Sequence, residues 1–498
     1  MAKRVLLLVS GVLLLLAAVL AVNTLRQGSR QLQVAPAPAV AVDEAGVAQR
    51  LAGAIRFRTI SSFDDPQLNA DQFRGLQGWL RERYPRVHAT LRREVVGDLS
   101  LLYTWPGSDA TAPPIMLMAH QDVVPISPGT ESSWKAEPFG GLVRDGLVWG
   151  RGAWDDKANL VGQLEAVEML LAAGFRPRQT VYLAFGADEE VGGHRGAKAI
   201  AGLLQGRGVK LDFVIDEGLV ITEGVLPGLA RPAALIGVAE KGSMSVVLRV
   251  AAPPGHSSMP PPKGTGAVAM MSAALRRLDD EQLPAGIRGV AREMFDTIAP
   301  EMSGLARVAL SNLWLFGPLV QAQLERGAAT NAMLRTTTAL TIVNAGNKHN
   351  VLPGMAEAVV NYRLLPGDTG AAVMDHVRAT VGSDRFELRA LGENYDPPAP
   401  SPTRSASFQL INQTVRSLFP DTIVAPGLMI GGTDSRHFSA ISSHIYRFSP
   451  VRARPEDLPR FHGTDERIAT GNLVELVRFY HQLLRNASAA PAASPASP

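Results

Sequence analysis

Two adjacent glutamates, Glu189 and Glu190, follow a short apolar run at 181–185 and precede a Gly-Gly pair. The apolar run predicts a buried strand, so both carboxylates stand at its exit. Because an unpaired carboxylate is costly to bury, this pair must be solvated, hydrogen-bonded or bound to a cation. Taken alone, a Glu-Glu pair is typical of a solvated loop, and its interpretation depends on the neighbouring strands.

Acidic residues or a histidine occur at three further strand or loop exits. They are His120 and Asp122 after the strand at 115–119, Asp155 and Asp156 before an apolar helix that Gly174 ends, and Asp216 and Glu217 after the strand at 211–215. Residues at i and i+2 of a strand share a face, so His120 and Asp122 point the same way. Helix capping explains one of the two aspartates, but it does not explain the pair together with the Gly-x-Gly loop before it.

Strands alternate with helices through this region, which predicts an α/β fold with a central, mostly parallel sheet flanked by helices. In such folds the sites form at the carboxyl ends of the strands. Two divalent ions ~3.5–4 Å apart need terminal ligands and a bridging carboxylate, and clustered strand exits supply both.

Seven motifs in this order resemble the di-zinc metallopeptidase family of the aminoacylase and carboxypeptidase S type, and most of all its carboxypeptidase S and N-fatty-acyl-amino-acid hydrolase/synthase members. The resemblance covers residues 45–485. The motifs are MAHQDVVP at 118–125, GRGAWDDK at 150–157, GADEEVGG at 186–193, DEG at 216–218, GHSS at 255–258, GGTDSR at 431–436 and FHG at 461–463.

The resemblance implies a zinc-exopeptidase-like catalytic domain that binds two Zn²⁺ per chain, with Co²⁺ or Mn²⁺ as alternatives. It implies that the ligands are His120, the bridging Asp155, Glu190, His462, and either Asp216 or Glu217. Neighbours on a regular strand face opposite sides, so one of the last two is expected to coordinate, and the choice stays open. The resemblance further implies that Glu189 is the general base and that Asp122 orients His120.

These residue types suit amide hydrolysis. Zinc takes nitrogen and oxygen ligands and lowers the pKa of a water to ~7. Glu189 can take a proton from that water and return it to the leaving nitrogen. The predicted enzyme cleaves an amide or peptide bond next to a C-terminal amino acid with a free carboxylate, as an N-acyl-amino-acid hydrolase or a carboxypeptidase. The competing hypothesis is a non-enzymatic extracytoplasmic ligand-binding protein on the same fold, which would have no need of Glu189 and the full ligand set.

Residues 237–391 predict an inserted α+β domain between the two parts of the catalytic domain, 45–236 and 392–485. By resemblance it is a lid and a dimerisation domain that forms a homodimer. The resemblance also implies that His256 stabilises the oxyanion of the tetrahedral intermediate, across a dimer, and that Asn350, Arg363 and Arg436 contact the substrate carboxylate. Arginine suits this task because its planar fork meets a carboxylate in a bidentate way.

An apolar patch at 313–320 inside the inserted domain has two interpretations. It is either packing, as lid core or subunit interface, or a wall for a long acyl chain.

The N-terminal residues 1–24 predict a signal anchor, with a cleaved signal peptide as the alternative. Residues 5–22 carry no charge and span roughly 27 Å as a helix, close to the hydrocarbon thickness of a bilayer. Lys3 and Arg4 would face the cytoplasm, which makes the catalytic domain periplasmic or secreted. Residues 25–44 predict a linker, and 486–498 predict a disordered tail.

Composition excludes several other classes of function. The net charge of +3 and the absence of a Lys/Arg run argue against a nucleic-acid partner. The chain has no cysteine, so disulfides, thiolate metal sites and cysteine nucleophiles are excluded.

Overall fold

The computed structural model describes residues 1–226 and 228–489. The helices are α1 (Ala2–Arg26), α2 (Glu44–Ile55), α3 (Ala70–Arg83), α4 (Pro85–Thr90), α5 (Lys157–Ala172), α6 (Ala197–Gly206), α7 (Ala267–Asp280), α8 (Gly289–Ile298), α9 (Gly304–Ser311), α10 (Leu313–Leu324), α11 (Ala328–Ala332), α12 (Gly370–Val381), α13 (Ala406–Leu418) and α14 (Thr470–Ser488).

The strands are β1 (Arg92–Val96), β2 (Ser100–Trp105), β3 (Ile115–His120), β4 (Leu142–Arg144), β5 (Leu147–Trp149), β6 (Val181–Gly186), β7 (Val214–Thr222), β8 (Ala233–Glu240), β9 (Gly242–Ala251), β10 (Gly255–His256), β11 (Thr337–Ala345), β12 (Val351–Leu352), β13 (Met355–Leu364), β14 (Phe386–Tyr395), β15 (Ile423–Met429), β16 (Ile445–Ala453) and β17 (Arg467–Ala469).

An eight-stranded sheet with the order β1-β2-β6-β3-β7-β16-β8-β15 forms the centre of the catalytic domain. Its middle strands β6, β3, β7 and β16 run parallel to one another, whereas β1 and β2 add an antiparallel edge. Successive residues of β3 point to opposite faces, so Leu117 joins the core beneath α5 and α14 while Met116 packs with α6 on the other face. The predicted α/β class with a central, mostly parallel sheet is confirmed.

A second sheet of four antiparallel strands, β11-β13-β9-β14, lies between the two parts of the catalytic domain in the sequence. Helices α7 and α12 cover one of its faces, with Met271 and Val377 among the buried residues. The limits predicted for this inserted domain, 237 and 391, fall inside β8 and β14. The strands of the second sheet itself run from Gly242 to Tyr395.

Helix α8 lies inside the range predicted for the inserted domain but packs against the catalytic sheet. Its residues Phe295 and Ile298 share a buried cluster with Ile423 and Ala425 of β15. The physical reason is that β15 is the edge strand of the central sheet, and its apolar side chains need a covering element. The sequence pattern of α8 shows an apolar face but does not show which sheet that face covers.

The segment predicted as a linker is hydrogen-bonded along the catalytic domain. The side chain of Gln31 pairs with both the main-chain N–H and the C=O of Val424, at 2.7 and 3.1 Å. Arg416 Nε donates to the carbonyl of Leu32, and Arg478 Nε donates to that of Val40. We call residues 27–43 the strap. At the other end of the chain α14 continues to Ser488, and residues 490–498 of the predicted tail lie outside the described residues.

Candidate metal centre and active site

Most of the histidine and acidic residues predicted for the site lie together at the carboxyl ends of β3, β6 and β7. Because these three strands are parallel neighbours, their exits lie at one edge of the sheet. His120 ends β3, Glu189 and Glu190 follow β6, and Asp155 precedes α5. His462 comes from the loop before β17, in the C-terminal part of the catalytic domain.

Asp155 is the centre of this cluster. Its Oδ1 lies 3.0 Å from His120 Nε2, and its Oδ2 lies 2.8 Å from His462 Nε2. His462 Nε2 is also 3.4 Å from Glu190 Oε2. One ligand atom from each of His120, Asp155 and Glu190 lies within 4.8 Å of the others. The two oxygens of Asp155 therefore face two different histidines.

The electrostatics of the cluster fit a bound divalent cation. Burial opposes ionisation of Asp155, but hydrogen bonds with His120 and His462 hold its pKa below the usual value. Hydrogen bonds with Asp155 and Glu190 raise the pKa of His462 to about 10. The Oε1 atom of Glu190 is buried and has no hydrogen-bond partner among the described residues. An orphaned carboxylate oxygen beside two histidine nitrogens is the nitrogen and oxygen donor set that zinc takes.

Asp122 positions the residues around the cluster. Its carboxylate accepts the main-chain N–H groups of Glu189 and Glu190 at 3.2 and 3.1 Å, and the hydroxyl of Ser61 at 2.7 Å. The Nδ1 atom of His120 is 2.9 Å from the main-chain carbonyl of Asp122 and 3.4 Å from its carboxylate. Donation from Nδ1 to that carbonyl leaves Nε2 free as a ligand.

The turn after Glu190 requires glycine. Gly193 has φ +69°, and a Cβ at this position would overlap the buried carboxylate of Asp434. The Gly-Gly pair thus lets the turn pack against Asp434 while the two glutamates stay at the edge of the sheet.

The structure separates the environments of Asp216 and Glu217. Asp216 accepts the main-chain N–H groups of Glu217 at 3.0 Å and of Ser435 at 2.9 Å, so both of its oxygens are engaged. Glu217 lines the same cavity as Asp155 and Glu190. Burial, followed by the charges of Asp155 and Asp156, raises the pKa of Glu217 well above its usual value.

Glu466 is an important residue that sequence reasoning missed. It is fully buried and accepts the main-chain N–H groups of Trp154 and Asp155 at 2.8 and 3.1 Å. Its other oxygen accepts Arg151 Nη1 at 2.7 Å. Glu466 therefore fixes the loop that carries Asp155, and its nearness to His462 in the sequence is the only signal that could have found it.

Asp156 and Asn159 form a second supporting contact that the sequence did not reveal. Asp156 accepts the main-chain N–H of His120 at 3.1 Å and pairs with the side chain of Asn159. Asn159 in turn accepts the hydroxyl of Tyr480 on α14 at 2.7 Å. Asp156 is thus a supporting residue for His120 as well as the residue that precedes α5.

A cavity of about 1280 Å³ lies beside the cluster, between the catalytic domain and the second sheet. Glu189, Glu190, Glu217 and His462 line one side of it. Polar and charged residues from the second sheet, the end of β14 and the loop after β15 line the other side. They are Ser243, Ser245, Arg363, Glu393, Asn394, Tyr395, Asp396 and Arg436.

Of the predicted carboxylate-binding residues, Arg363 and Arg436 lie in this cavity. Arg436 Nη2 donates to the carbonyl of Gly192 at 2.6 Å, and its guanidinium stacks 5.1 Å from the centre of the Tyr395 ring. Arg363 lies on β13 and forms no ion pair with the residues that the structure describes.

His256 lies elsewhere, on the two-stranded ribbon of β10 and β12, and Asn350 directly precedes β12. His256 is exposed and pairs with Val351, and the carbonyl of Asn350 accepts the N–H of Ser257 at 3.2 Å. Neither residue lines the cavity of its own chain. The patch at 313–320 also lies outside that lining, because helix α10 packs against α9 and, through Leu313 and Val320, against the buried cluster of α8 and β15.

Comparison with known proteins places these features in a family. A sequence profile of peptidase family M20/M25/M40 matches residues 116–486. The N-fatty-acyl-amino acid synthase/hydrolase PM20D1 of Xenopus tropicalis is 42% identical over 442 residues, which are 88% of this chain and 85% of that protein. A probable carboxypeptidase S-like 2 of Dictyostelium discoideum is 38% identical over 489 residues, covering 96% of this chain and 92% of that protein.

Solved structures share the fold at low sequence identity. An M20 family metallo-carboxypeptidase, Sso-CP2 from Sulfolobus solfataricus, has a TM-score of 0.65 at 16% identity, covering 90% of this chain and 100% of that one. Human carnosine dipeptidase 1 has a TM-score of 0.63 at 16% identity, covering 89% of this chain and 96% of that one. Both structures share the fold of this chain over about nine tenths of its length.

Proposed function

Because the chain belongs to peptidase family M20/M25/M40 and is therefore a metal-dependent hydrolase of amide or peptide bonds, we propose that it hydrolyses N-acyl amino acids. The observation that carries the proposal is the arrangement of the cavity. The cluster of candidate metal ligands lines one side, and Arg363 and Arg436 line the same cavity. An amide bound at the cluster could thus have its free carboxylate held by an arginine.

We propose that two metal ions bind per chain. Asp155 would bridge them, and the remaining ligands would be His120, Glu190, Glu217 and His462. Glu217 is preferred over Asp216 because main-chain amides already engage both oxygens of Asp216. When bound, the ions would polarise the substrate carbonyl and lower the pKa of a water molecule.

Glu189 would move the proton. It lines the cavity beside the cluster, and its main chain is held by the carboxylate of Asp122. Burial raises the pKa of Glu189 well above its usual value, which is the direction that suits a general base working near neutral pH. Its carboxylate would accept a proton from the attacking water and then protonate the leaving nitrogen.

His256 would act in a second copy of the chain. It is exposed on the β10–β12 ribbon and lies outside the lining of its own cavity. The edge strand β11 of the second sheet is also exposed, with Ile342 and Val343 among its exposed side chains. A homodimer through the second sheet would cover this edge and could bring His256 to the partner's cavity as an oxyanion donor.

We propose that the acyl group of the N-acyl amino acid substrate is a long chain. Apolar side chains join the lining of the cavity, namely Phe63, Val191, Leu391, Met429 and Phe461. The relatives named N-fatty-acyl-amino acid synthase/hydrolase support the same choice, whereas the carboxypeptidase S-like relatives support a peptide. We therefore propose a long-chain N-acyl amino acid as the substrate, and a peptide is the alternative substrate.

The test is kcat/KM of the zinc-loaded enzyme on two substrates that share one C-terminal residue, a long-chain N-acyl amino acid and a blocked dipeptide. We expect the acyl substrate to be preferred. Phe63→Ala should lower kcat/KM for the acyl substrate more than for the dipeptide, because Phe63 lines the cavity. Leu68→Ala, which removes an exposed side chain outside the lining, is the matched control. Preference for the dipeptide would make the enzyme a carboxypeptidase.

We propose that α1 is retained as a membrane anchor and that the catalytic domain is extracytoplasmic. Helix α1 is long and apolar enough to cross a membrane, with a mean hydropathy of 3.1 in its most apolar window, a property that signal sequences share. Lys3 and Arg4 precede the apolar stretch, which favours a cytoplasmic N-terminus. Detection of the intact N-terminus by mass spectrometry of the membrane-bound protein would support retention, and an N-terminus after residue 21 would contradict it.

A further inference from the structure

Helix α10 is apolar along its length. Leu313, Val320 and Leu324 pack on one side against the cluster of α8 and β15, yet this fully described helix has no buried residue. The sequence has no charged side chain between Arg307 and Glu325. Leu305 on α9 is 87% exposed, and Trp314 and Leu319 on α10 are 60% and 70% exposed. Contiguous exposed apolar surface of this kind marks an interaction site rather than an ordinary solvent-facing helix.

The α9–α10 hairpin, residues 304–324, is hydrogen-bonded to the C-terminal part of α1. Asn312, which joins the two helices, donates to Thr24 Oγ1 at 3.1 Å and to the carbonyl of Leu20 at 3.3 Å. Asn23 Nδ2 donates to Asn312 Oδ1 at 3.1 Å, and Gln27 Nε2 donates to the carbonyl of Ser311 at 3.3 Å. The exposed apolar residues of the hairpin therefore belong to an element that is bound to the candidate anchor.

The strap fixes where the anchor meets the catalytic domain. It follows α1 directly and is tied to β15 through the two hydrogen bonds between Gln31 and Val424. A flexible linker would let the catalytic domain move freely above the membrane. With the strap bound, the hairpin stays beside α1.

The length of the apolar stretch determines how deep the hairpin lies. Residues 5–22 give roughly 27 Å of helix, which a hydrocarbon layer of ~30 Å would enclose completely. Leu16 and Leu20 are half-buried, in contrast to the exposed residues on the other faces of α1. Leu16 lies six residues before Val22, or about 9 Å at the rise of an α-helix. The protein surface that covers these leucines must then reach about that far into the bilayer.

We propose that the α9–α10 hairpin is a monotopic membrane element that inserts into the leaflet from which α1 emerges. This inference rests on the proposed retention of α1 as an anchor. An insertion depth of about 9 Å lies within the ~5–10 Å found for interfacial helices. Leu305, Trp314 and Leu319 would contact lipid acyl chains. Arg307 on one side of the uncharged stretch, and Glu325 and Arg326 on the other, would lie near the headgroups. The catalytic domain is thus held against the membrane by two elements.

The absence of cysteine allows a site-specific test on the full-length chain. Leu319→Cys places a single label site on α10, and Val268→Cys places one on α7 at a comparably apolar, exposed position in the inserted domain. Each variant would be reconstituted in phosphatidylcholine vesicles and labelled with an environment-sensitive fluorophore. Quenching by lipids that carry a nitroxide on the acyl chain reports contact with the membrane interior. Neither residue lines the active-site cavity, so hydrolysis should continue in both variants.

We expect a blue-shifted emission and severalfold stronger quenching for the label at position 319 than for the label at position 268. Equal and weak quenching at both positions would overturn the proposal. Formation of a disulfide-linked dimer by unlabelled Leu319→Cys in the vesicles would instead assign the patch to a subunit interface and would also overturn it.

Discussion

The two sides of the active-site cavity are built in different ways. On the catalytic side the proposed ligands and the proposed general base are held by buried partners, with Glu466 fixing the loop of Asp155 and Asp122 fixing the turn of Glu189. On the opposite side Arg363 stands on a strand of the second sheet and forms no ion pair with the described residues.

This difference indicates that one side of the cavity carries out catalysis and the other side recognises the substrate. Residues that carry out bond cleavage must be held in one geometry, and several charged hydrogen bonds provide that rigidity. Residues that recognise the substrate need unpaired donors that a ligand can satisfy. The catalytic side therefore should control kcat and metal binding, and the second-sheet side should control KM.

The largest expected effect is that of Glu189→Gln on the catalytic side. Loss of the proton carrier should lower kcat by ~10²–10⁴-fold, the usual size of a general acid–base contribution. The metal content should stay that of the native enzyme, since Glu189 is not a proposed ligand. Glu137→Gln, which removes an exposed carboxylate outside the cavity, is the matched control. Near-normal turnover in Glu189→Gln would remove Glu189 from the mechanism.

Metal content should distinguish the two neighbouring acids of β7. Glu217→Gln should reduce the number of bound metal ions per chain from two to one, because it removes a proposed ligand. Asp216→Asn should keep both ions and weaken metal affinity by ~10–100-fold, the range measured for residues that support ligands. Elemental analysis after dialysis against a range of zinc concentrations measures both the number of bound metal ions per chain and the metal affinity. A greater loss of bound metal in Asp216→Asn than in Glu217→Gln would identify Asp216 as the ligand.

Arg363→Met should mainly affect substrate binding. A hydrogen bond to a charged group contributes about 1.5–3 kcal/mol, which corresponds to a rise in KM of roughly 10–150-fold with a smaller change in kcat. Arg389→Met, on β14 of the same sheet but outside the cavity lining, should leave both constants unchanged. An unchanged KM in Arg363→Met would mean that the carboxylate binds elsewhere, with Arg436 as the next candidate.

The smallest expected effect concerns His437, which lines the cavity beside Arg436. Burial, together with the charge of Arg436, lowers the pKa of His437 to about 4. An unfolded histidine has a pKa of ~6.5, so between these values the unfolded state binds more protons than the folded state. The contribution of His437 to the free energy of unfolding therefore falls as the pH is lowered from about 6.5 to about 4.

Denaturant unfolding of the wild type and of His437→Asn over this pH range, at one fixed metal concentration, measures that contribution. The variant should lose less stability on acidification than the wild type. Parallel pH profiles would show that His437 titrates normally in the folded protein.

Much of the fold could be predicted from the sequence because the local patterns are strong. The alternation of apolar strands and helices predicted the α/β class, and the motifs identified the family. His120, Asp155 and Glu190 stood out by residue type at a strand or helix end, and the resemblance to the family implied that they are ligands. The structure brings their ligand atoms together.

The features that the sequence did not predict depend on contacts between distant segments. Glu466 is a single glutamate without a motif, and its role follows from contacts with residues more than 300 positions earlier. The strap is rich in alanine and proline, a composition typical of a linker, and only its hydrogen bonds show that it is docked. The apolar pattern of 313–320 was compatible with packing or with an acyl site, since hydropathy does not indicate which surface lies opposite.

The most direct test of the proposed mechanism is a crystal structure of the zinc-loaded enzyme with anomalous scattering measured at the zinc edge. We expect two peaks ~3.5–4 Å apart on either side of the Asp155 carboxylate. One ion should contact His120, and the other should contact Glu190. A single peak, or two peaks that Asp155 does not bridge, would contradict the two-metal centre on which the proposed mechanism depends.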